Sequence, residues 1–224
     1  IALEKQYLET GKPNRITLLF SSGLGDAKDR GLNRLAHKGL FKRVIAGHYG
    51  LMPKIGQLAL DNEFEAYNLP QGMLTNLYRA VAGKKPGVFS KVGLGTFVDP
   101  RLEGGKVNAR ATDDLVEVVE LGGEEWLFLK TFPLDIALIR GTTADTTGNI
   151  TMEKEILSLD TLAMAAAVRN SGGHVIAQVE RIADVGTLNP KHVKVPGILV
   201  DYVVVAEPEN HMQTYATPYS PAYA

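Results

Sequence analysis

The chain has 224 residues, with 24 Lys and Arg against 25 Asp and Glu, a formal net charge of -1. Its length suits one large domain or two small ones, and its 45% apolar and 22% charged residues are those of an ordinary globular protein. The near-neutral charge argues against a nucleic-acid partner, which needs a basic face to displace counterions, and the lack of cysteine excludes disulfides and thiolate metal sites.

Ile1 to Leu8 carries apolar residues close to a helical stripe, with no N-cap before it and no initiator Met. Gly11 and Pro13 stop that helix, and Ile16-Thr17-Leu18-Leu19-Phe20 is a continuous apolar run that fits a strand covered on both faces. A polar segment follows Ser21-Ser22-Gly23-Leu24-Gly25-Asp26 and leads to a helix around Leu32-Asn33-Arg34-Leu35. Val44-Ile45-Ala46 predicts the next strand, ending at Gly47-His48-Tyr49-Gly50. Met52 to Asn62 reads as a helix with Ile55, Leu58 and Ala59 inward. Glu65 to Asn68 reads as a strand ending in Leu69-Pro70-Gln71-Gly72, and Met73 to Ala82 as a helix with Leu74, Leu77, Tyr78 and Val81 on one face. Successive strand–loop–helix units predict a parallel sheet with crossover helices.

Phe89 begins a further apolar strand, which runs into Val92-Gly93-Leu94-Gly95 and a turn at Asp99-Pro100. In open parallel sheets ligands sit at the C-terminal strand ends. Those ends carry Ser21-Ser22-Gly23, Gly47-His48-Tyr49, Pro70-Gln71-Gly72 and Gly93-Leu94-Gly95, so one rim is expected to collect four unusual loops.

Beyond Gly105, Leu115–Glu120 and Trp126–Lys130 flank Gly122-Gly123 as a hairpin. Asp135–Arg140 reads as a strand, Ala144–Asn149 as a turn before Ile150, and Leu159–Arg169 as a helix closed by Gly172-Gly173. Val175–Val179 and Ile198–Val205 are expected to complete the sheet. The apolar run from Gly197 to Val205 is broken by Asp201 and too short to span a bilayer. No secretory signal stands at Ile1, so no membrane partner and a cytoplasmic location are expected. The uncapped start and the Tyr/Pro/Ala/Ser-rich end from Tyr215 lead to the expectation of a segment of a longer polypeptide.

Glycine lets a ligand approach bare N–H groups, which suits a phosphate or a developing oxyanion. A plain tight turn fits the Gly93 loop equally. The third glycine of a dinucleotide fingerprint would fall at Val98 or, from Gly23, at Lys28, and neither loop is a P-loop. The Gln71 side chain has an amide donor for a carbonyl oxygen, and it also fits simple helix entry. His48 suits a site wall or a proton donor, with a structural histidine as the plainer reading. The five histidines form no His-x-x-x-His pair, so no metal site is expected. Asp145, Asn149, Glu153 and Glu155 form a polar cluster read first as a solvated hairpin, with a catalytic acid pair as the alternative. Gly-x-Ser-x-Gly is absent.

Taken in order, Ser22-Gly23-Leu24-Gly25-Asp26, Gly47-His48-Tyr49-Gly50, Tyr67–Gly72, Val92–Arg101 and Ala144-Asp145-x-x-Gly148-Asn149 resemble the motifs of the family I coenzyme A transferases, nearest to the single-chain acetate/propionate or 3-ketoacid type. The resemblance spans nearly the whole chain. It implies an α/β fold, an open and mostly parallel sheet with crossover helices. Residues 1–224 would form a partial α-type domain, truncated at both ends, with the β-type domain absent. It implies ping-pong transfer of CoA from an acyl-CoA to a short-chain carboxylate through a glutamyl-CoA thioester. By the same resemblance, Gln71, Gly93 and Gly95 stabilise the oxyanion, and Gly23, Gly25, His48, Gly72, Leu94, Thr96 and Phe97 contact substrate. No cofactor is implied, coenzyme A being a substrate. The implied partners are a β-type domain or subunit and further copies in a homo-oligomer. The family's nucleophilic glutamate belongs to the β half. None of Glu103, Glu124, Glu153 and Glu155 lies in its motif, so this segment alone is expected to be inactive. A non-catalytic α/β binding or assembly module is the alternative, and a nucleotide-binding domain is disfavoured by the incomplete fingerprints.

Overall fold

In the computed structural model, which describes residues 1–223, the opening apolar stripe forms helix α1 (Ala2–Thr10). Gly11 ends it in the left-handed region at φ 68°, with its N–H on the Tyr7 carbonyl at 2.7 Å. The chain divides into two units, Ile1–Leu77 with Gly87–Lys130, and Tyr78–Pro86 with Thr131 onward.

In the first unit, β1 (Ile16–Phe20), β2 (Phe41–Ala46) and β3 (Glu65–Asn68) pair in parallel in the order β1-β2-β3. Val44, Ile45 and Ala46 are all buried, as their unbroken apolar run predicts for a strand covered on both faces. Helix α2 (Pro53–Leu60) links β2 to β3 and starts on proline, which loses no bond at that position. It buries Ile55 and Ala59 against Phe41, Val44 and Phe64. Fully burying a side chain such as Ile55 or Phe64 stabilises by about 1.5–3 kcal/mol. Helix α3 (Gln71–Ala82) follows β3 after only Leu69 and Pro70.

The strand at Phe89 does not extend that parallel sheet. It is β4 (Gly87–Ser90), paired antiparallel with β6 (Glu124–Lys130), which also pairs with β5 (Val116–Leu121). A short apolar run reads the same beside either kind of neighbour, so the sequence does not reveal the partner. Phe89 packs on Phe128 across the pair, ring centroids 4.7 Å apart. The β5–β6 hairpin turns at Gly122 and Gly123, both at positive φ (66° and 78°), as a tight hairpin turn requires.

The second unit holds β7 (Ile136–Arg140), β8 (Thr143–Asp145), β9 (Ile150–Thr151), α4 (Thr161–Asn170), β10 (His174–Val179), β11 (Arg181–Ala183), β12 (Val193–Val195) and β13 (Tyr202–Val205). Its parallel sheet is ordered β13-β10-β7, and a mixed sheet runs β11-β8-β9-β12. Helix α4 buries Ala165 and Val168 in a core with Val175, Ala177 and Val179. Among the described residues the expected sheet is divided into four, still mostly parallel in pairing. Strands β8, β9, β11 and β12 are too short to carry a legible period. Leu32–Leu35 is a 3-10 turn, and so is Gly197–Leu199, which delays β13 to Tyr202. Asp201 breaks the apolar run because its carboxylate accepts from the Val175 N–H at 2.8 Å and from Arg169 at 2.5 Å.

Candidate active site

The C-terminal ends of β1, β2 and β3 lie side by side in the first unit. Gly47, just past β2, donates its N–H to Phe20 at 3.1 Å, and Leu69, just past β3, donates to Ala46 at 3.0 Å. A β-carbon on Gly47 would stand 1.9 Å from the Ser21 carbonyl oxygen and 3.3 Å from the Gln71 α-carbon. Glycine at that position lets the three strand-end loops converge.

Gln71 is the first residue of α3, so both readings of it hold: it enters the helix, and it stands at the rim. Its side chain is exposed, and no described residue bonds its carboxamide. The N–H groups of Gln71 and Gly72 precede the first intrahelical bond, and no acidic side chain occupies the first turn. Such a helix end favours negative charge.

An open cleft of about 450 Å³ lies at this rim, lined by Gly47, His48, Tyr49, Asn68 and Phe97, with Glu103, Lys106 and Val107 closing its other side. The Tyr49 hydroxyl donates inward toward the Val44 and Tyr67 carbonyls (3.3 and 3.2 Å), and burial pushes its pKa up. The Asn68 amide donates to Ala46 at 3.2 Å. Lys106 is paired with Asp114 at 2.6 Å.

The loop after β4 reaches this cleft through its second half. Gly105 donates to Phe97 and accepts from Asn68, both at 2.8 Å, and Lys106 bridges antiparallel to Tyr67. Gly93–Thr96 form the turn leading into Phe97 and are not among the lining residues. Asp99, 1% exposed, organises the turn. Its carboxylate accepts from Arg101 Nη2 at 2.8 Å, from the Gly95 N–H at 2.9 Å and from the Arg101 N–H at 3.0 Å. The Arg101 guanidinium and these backbone donors hold the Asp99 carboxyl well below the usual carboxylate range. The Gly95 N–H, expected to serve an oxyanion, is engaged inside the loop by Asp99. From Gly93 to Arg101, the N–H groups of Gly93 (φ 106°) and Phe97 are the ones without an acceptor among the described residues.

Gly23 and Gly25, expected to contact substrate, stand close to other parts of the chain. A β-carbon on Gly25 would lie 2.1 Å from the Leu51 carbonyl oxygen, so this glycine admits the protein's own backbone. One on Gly23 would lie 2.8 Å from His48 Nδ1. Of the expected residues, His48 and Phe97 both line the cleft, and Gln71 lies beside Gly47 at its edge. Tyr49 was expected at the rim only as part of the Gly47-His48-Tyr49 loop, and Asn68, Glu103, Lys106 and Val107 were not legible as residues lining the cleft. Lys106 and Val107 reach it only by pairing with β3, which no local pattern announces.

The polar cluster of the second unit is fully engaged. Asp145, 4% exposed, accepts from the N–H groups of Thr147 (2.9 Å) and Asn149 (3.0 Å) and from the Asn149 amide (2.8 Å). Glu153 accepts from Thr143 and Thr151 and pairs with Arg181, and Glu155 pairs with Arg140 and His211. Burial pushes each of the three carboxyls up, and these bonds outweigh it to hold all three low. The cluster is a bonded turn rather than a solvated one. Among the described residues no group of His, Asp or Glu is placed to hold a metal ion, and no helix is long and apolar enough to cross a membrane.

A family model described as coenzyme A transferase matches residues 2–206. The chain belongs to that family. It is 50% identical over 225 residues to the caffeate CoA-transferase of Acetobacterium woodii, covering all of this chain and 43% of that protein. It is 47% identical over 204 residues to the acetate CoA-transferase YdiF of Escherichia coli K12, covering 91% of this chain and 38% of that one. The acetate CoA-transferase subunit alpha of the same organism is 27% identical, over 90% of this chain and 87% of that subunit. The crystal structure of the acyl-CoA transferase YdiF from E. coli O157:H7, a thioester complex with CoA, superposes at TM-score 0.94 with 45% identity, covering 98% of this chain and 45% of that one. The chain thus spans less than half the length of the caffeate and YdiF-type relatives, and most of one α subunit.

Proposed function

We propose that this chain is the α-type half of a CoA-transferase that moves CoA from an acyl-CoA to a short-chain carboxylate, with a β-type half supplying the nucleophilic glutamate. The observation that carries this reading is the uncommitted Gln71 carboxamide at the head of α3, across Gly47 from His48 and the cleft. The names of its relatives and the CoA thioester captured on YdiF support the same chemistry.

In the proposed cycle a glutamate oxygen adds to the thioester carbonyl, the C–S bond breaks, and CoA leaves as thiolate from a mixed anhydride. The thiolate then attacks the glutamyl carbonyl and expels the acyl group as free carboxylate. An incoming carboxylate reverses both steps, so no oxidant or net proton is required. Each addition places negative charge on a carbonyl oxygen. A carboxylate is a weak nucleophile, and position together with preorganised donors makes it effective. Gln71 and the free Gly93 N–H are assigned that donor role, while Gly95 shapes the loop. Phe97, Tyr49 and Val107 offer apolar surface to the acyl chain.

Borohydride treatment of the complete protein in the presence of acyl-CoA tests this reading. It should abolish transfer and reduce one glutamate of the β-type half to an alcohol, visible by mass. This chain alone should neither transfer CoA nor be modified. Transfer by this chain alone, or an active protein that resists trapping, would overturn the proposal.

A further inference from the structure

His48 is seated by two glycines. A β-carbon on Gly50 would stand 2.8 Å from His48 Nε2 and 2.9 Å from Cε1, and one on Gly23 would stand 2.8 Å from Nδ1. Real side chains do not approach so closely. Neither glycine has a positive φ, so backbone conformation does not demand glycine at either place. The space each leaves open is filled by the imidazole. Neither ring nitrogen has a hydrogen-bond partner among the described residues.

The other polar side chains lining the cleft each have a partner inside the fold or are of the wrong polarity. Tyr49 donates toward backbone carbonyls, Asn68 donates to Ala46, and Lys106 is held by Asp114. Glu103 when ionised only accepts. Asn68 and Lys106 keep further N–H groups, but each is anchored by its bond. His48 is the donor-bearing side chain of the lining with no partner among the described residues, and an imidazole keeps at least one N–H in either protonation state.

We infer that Gly23 and Gly50 form a slot that fixes the His48 imidazole so that it binds the carboxylate of the acceptor acid. His48 is then a substrate-binding contact, and Gly50 is a positioning residue that acts through it. The carboxylate part rests on the function proposed above; the slot does not.

The test is a double-mutant cycle in the complete enzyme, with His48→Ala, Gly50→Ala and both together, read as kcat/KM for the carboxylate acceptor. Each single change should lower it by roughly tenfold to a hundredfold, the range for a lost hydrogen bond to a charged group. The double variant should be no worse than His48→Ala alone, because Gly50 acts only through the ring. In the complete protein with 15N-labelled histidine, Gly50→Ala should also shift the His48 ring resonances. Losses that multiply in the double variant, or a Gly50→Ala protein with unchanged rates and resonances, would overturn the inference. If the complete protein transfers no CoA at all, the functional reading and the carboxylate contact fall together, and the resonances alone decide whether the slot exists.

Discussion

Two polar regions of this chain differ in composition and are opposite in state. At the rim of β1-β2-β3 the side chains of Gln71 and His48 have no partner among the described residues, and in the loop after β4 the Gly93 N–H has none. In the turn from β8 to β9 and just beyond, every oxygen-rich side chain is engaged: Asp145 by Thr147 and Asn149, Glu153 by two threonines and Arg181, Glu155 by Arg140 and His211. A polar group that has satisfied its bonds inside the fold stabilises it, and it is unavailable to a ligand. One left open at a cleft costs little in water and is ready for a substrate. Richness in carboxylates is therefore a poor guide to chemistry here, and unpaired donors are the better one.

The comparison breaks first at Gln71. Gln71→Ala in the complete enzyme should lower kcat by about 10²–10³, as for other lost oxyanion donors, while the thermal midpoint stays put. Near-normal turnover would remove the rim from the chemistry. Asp145→Ala should behave oppositely. It leaves the Thr147 and Asn149 N–H groups and the Asn149 amide without their acceptor, so calorimetry should show the midpoint falling by several degrees. Turnover by the protein that remains folded should match the unmodified enzyme. A loss of kcat with an unchanged midpoint would transfer catalytic interest to the second unit.

The smallest and broadest effect is on pH. Asp99, Asp145, Glu153, Glu155 and Asp201 all have carboxyls held below their usual values of 3.8 for Asp and 4.5 for Glu. The unfolded chain then binds more protons in the interval between the two sets of values. The stabilisation is fully present above the unfolded values and is lost as pH falls through the folded ones. Urea midpoints should stay nearly flat from pH 7 to about 5.5 and drop below about 4, and Asp99→Asn should flatten part of that drop. A midpoint that rises on acidification would contradict the bonding described for these groups.

Much of this was legible in the residues alone. The strand Glu65–Asn68 and the hairpin about Gly122-Gly123 follow from local period and turn chemistry, and β1 and β2 follow from unbroken apolar runs. The order of the motifs is sufficient for the family, because each is a short stretch of fixed residues. The convergence of the Ser21, Gly47 and Gln71 loops follows from the strand–loop–helix alternation and the rule that parallel strands present their C-terminal ends together.

Only the tertiary structure decided what the unusual residues are for. Period reports which face of an element is covered, not which strand lies beside it, so β4 looked like a fourth parallel strand and is antiparallel to β6. Spacing flags a glycine, but the atom that needs the room is set by a segment elsewhere in the chain: the Leu51 carbonyl for Gly25, the Ser21 carbonyl for Gly47. The same holds for donors, since Gly93 and Gly95 are equivalent on paper and the buried Asp99 carboxylate engages one N–H and leaves the other open. Local sequence sets conformation over a few residues. Hydrogen-bond partners and close approaches are set by packing between distant ones, and those contacts separate the committed groups from the free ones.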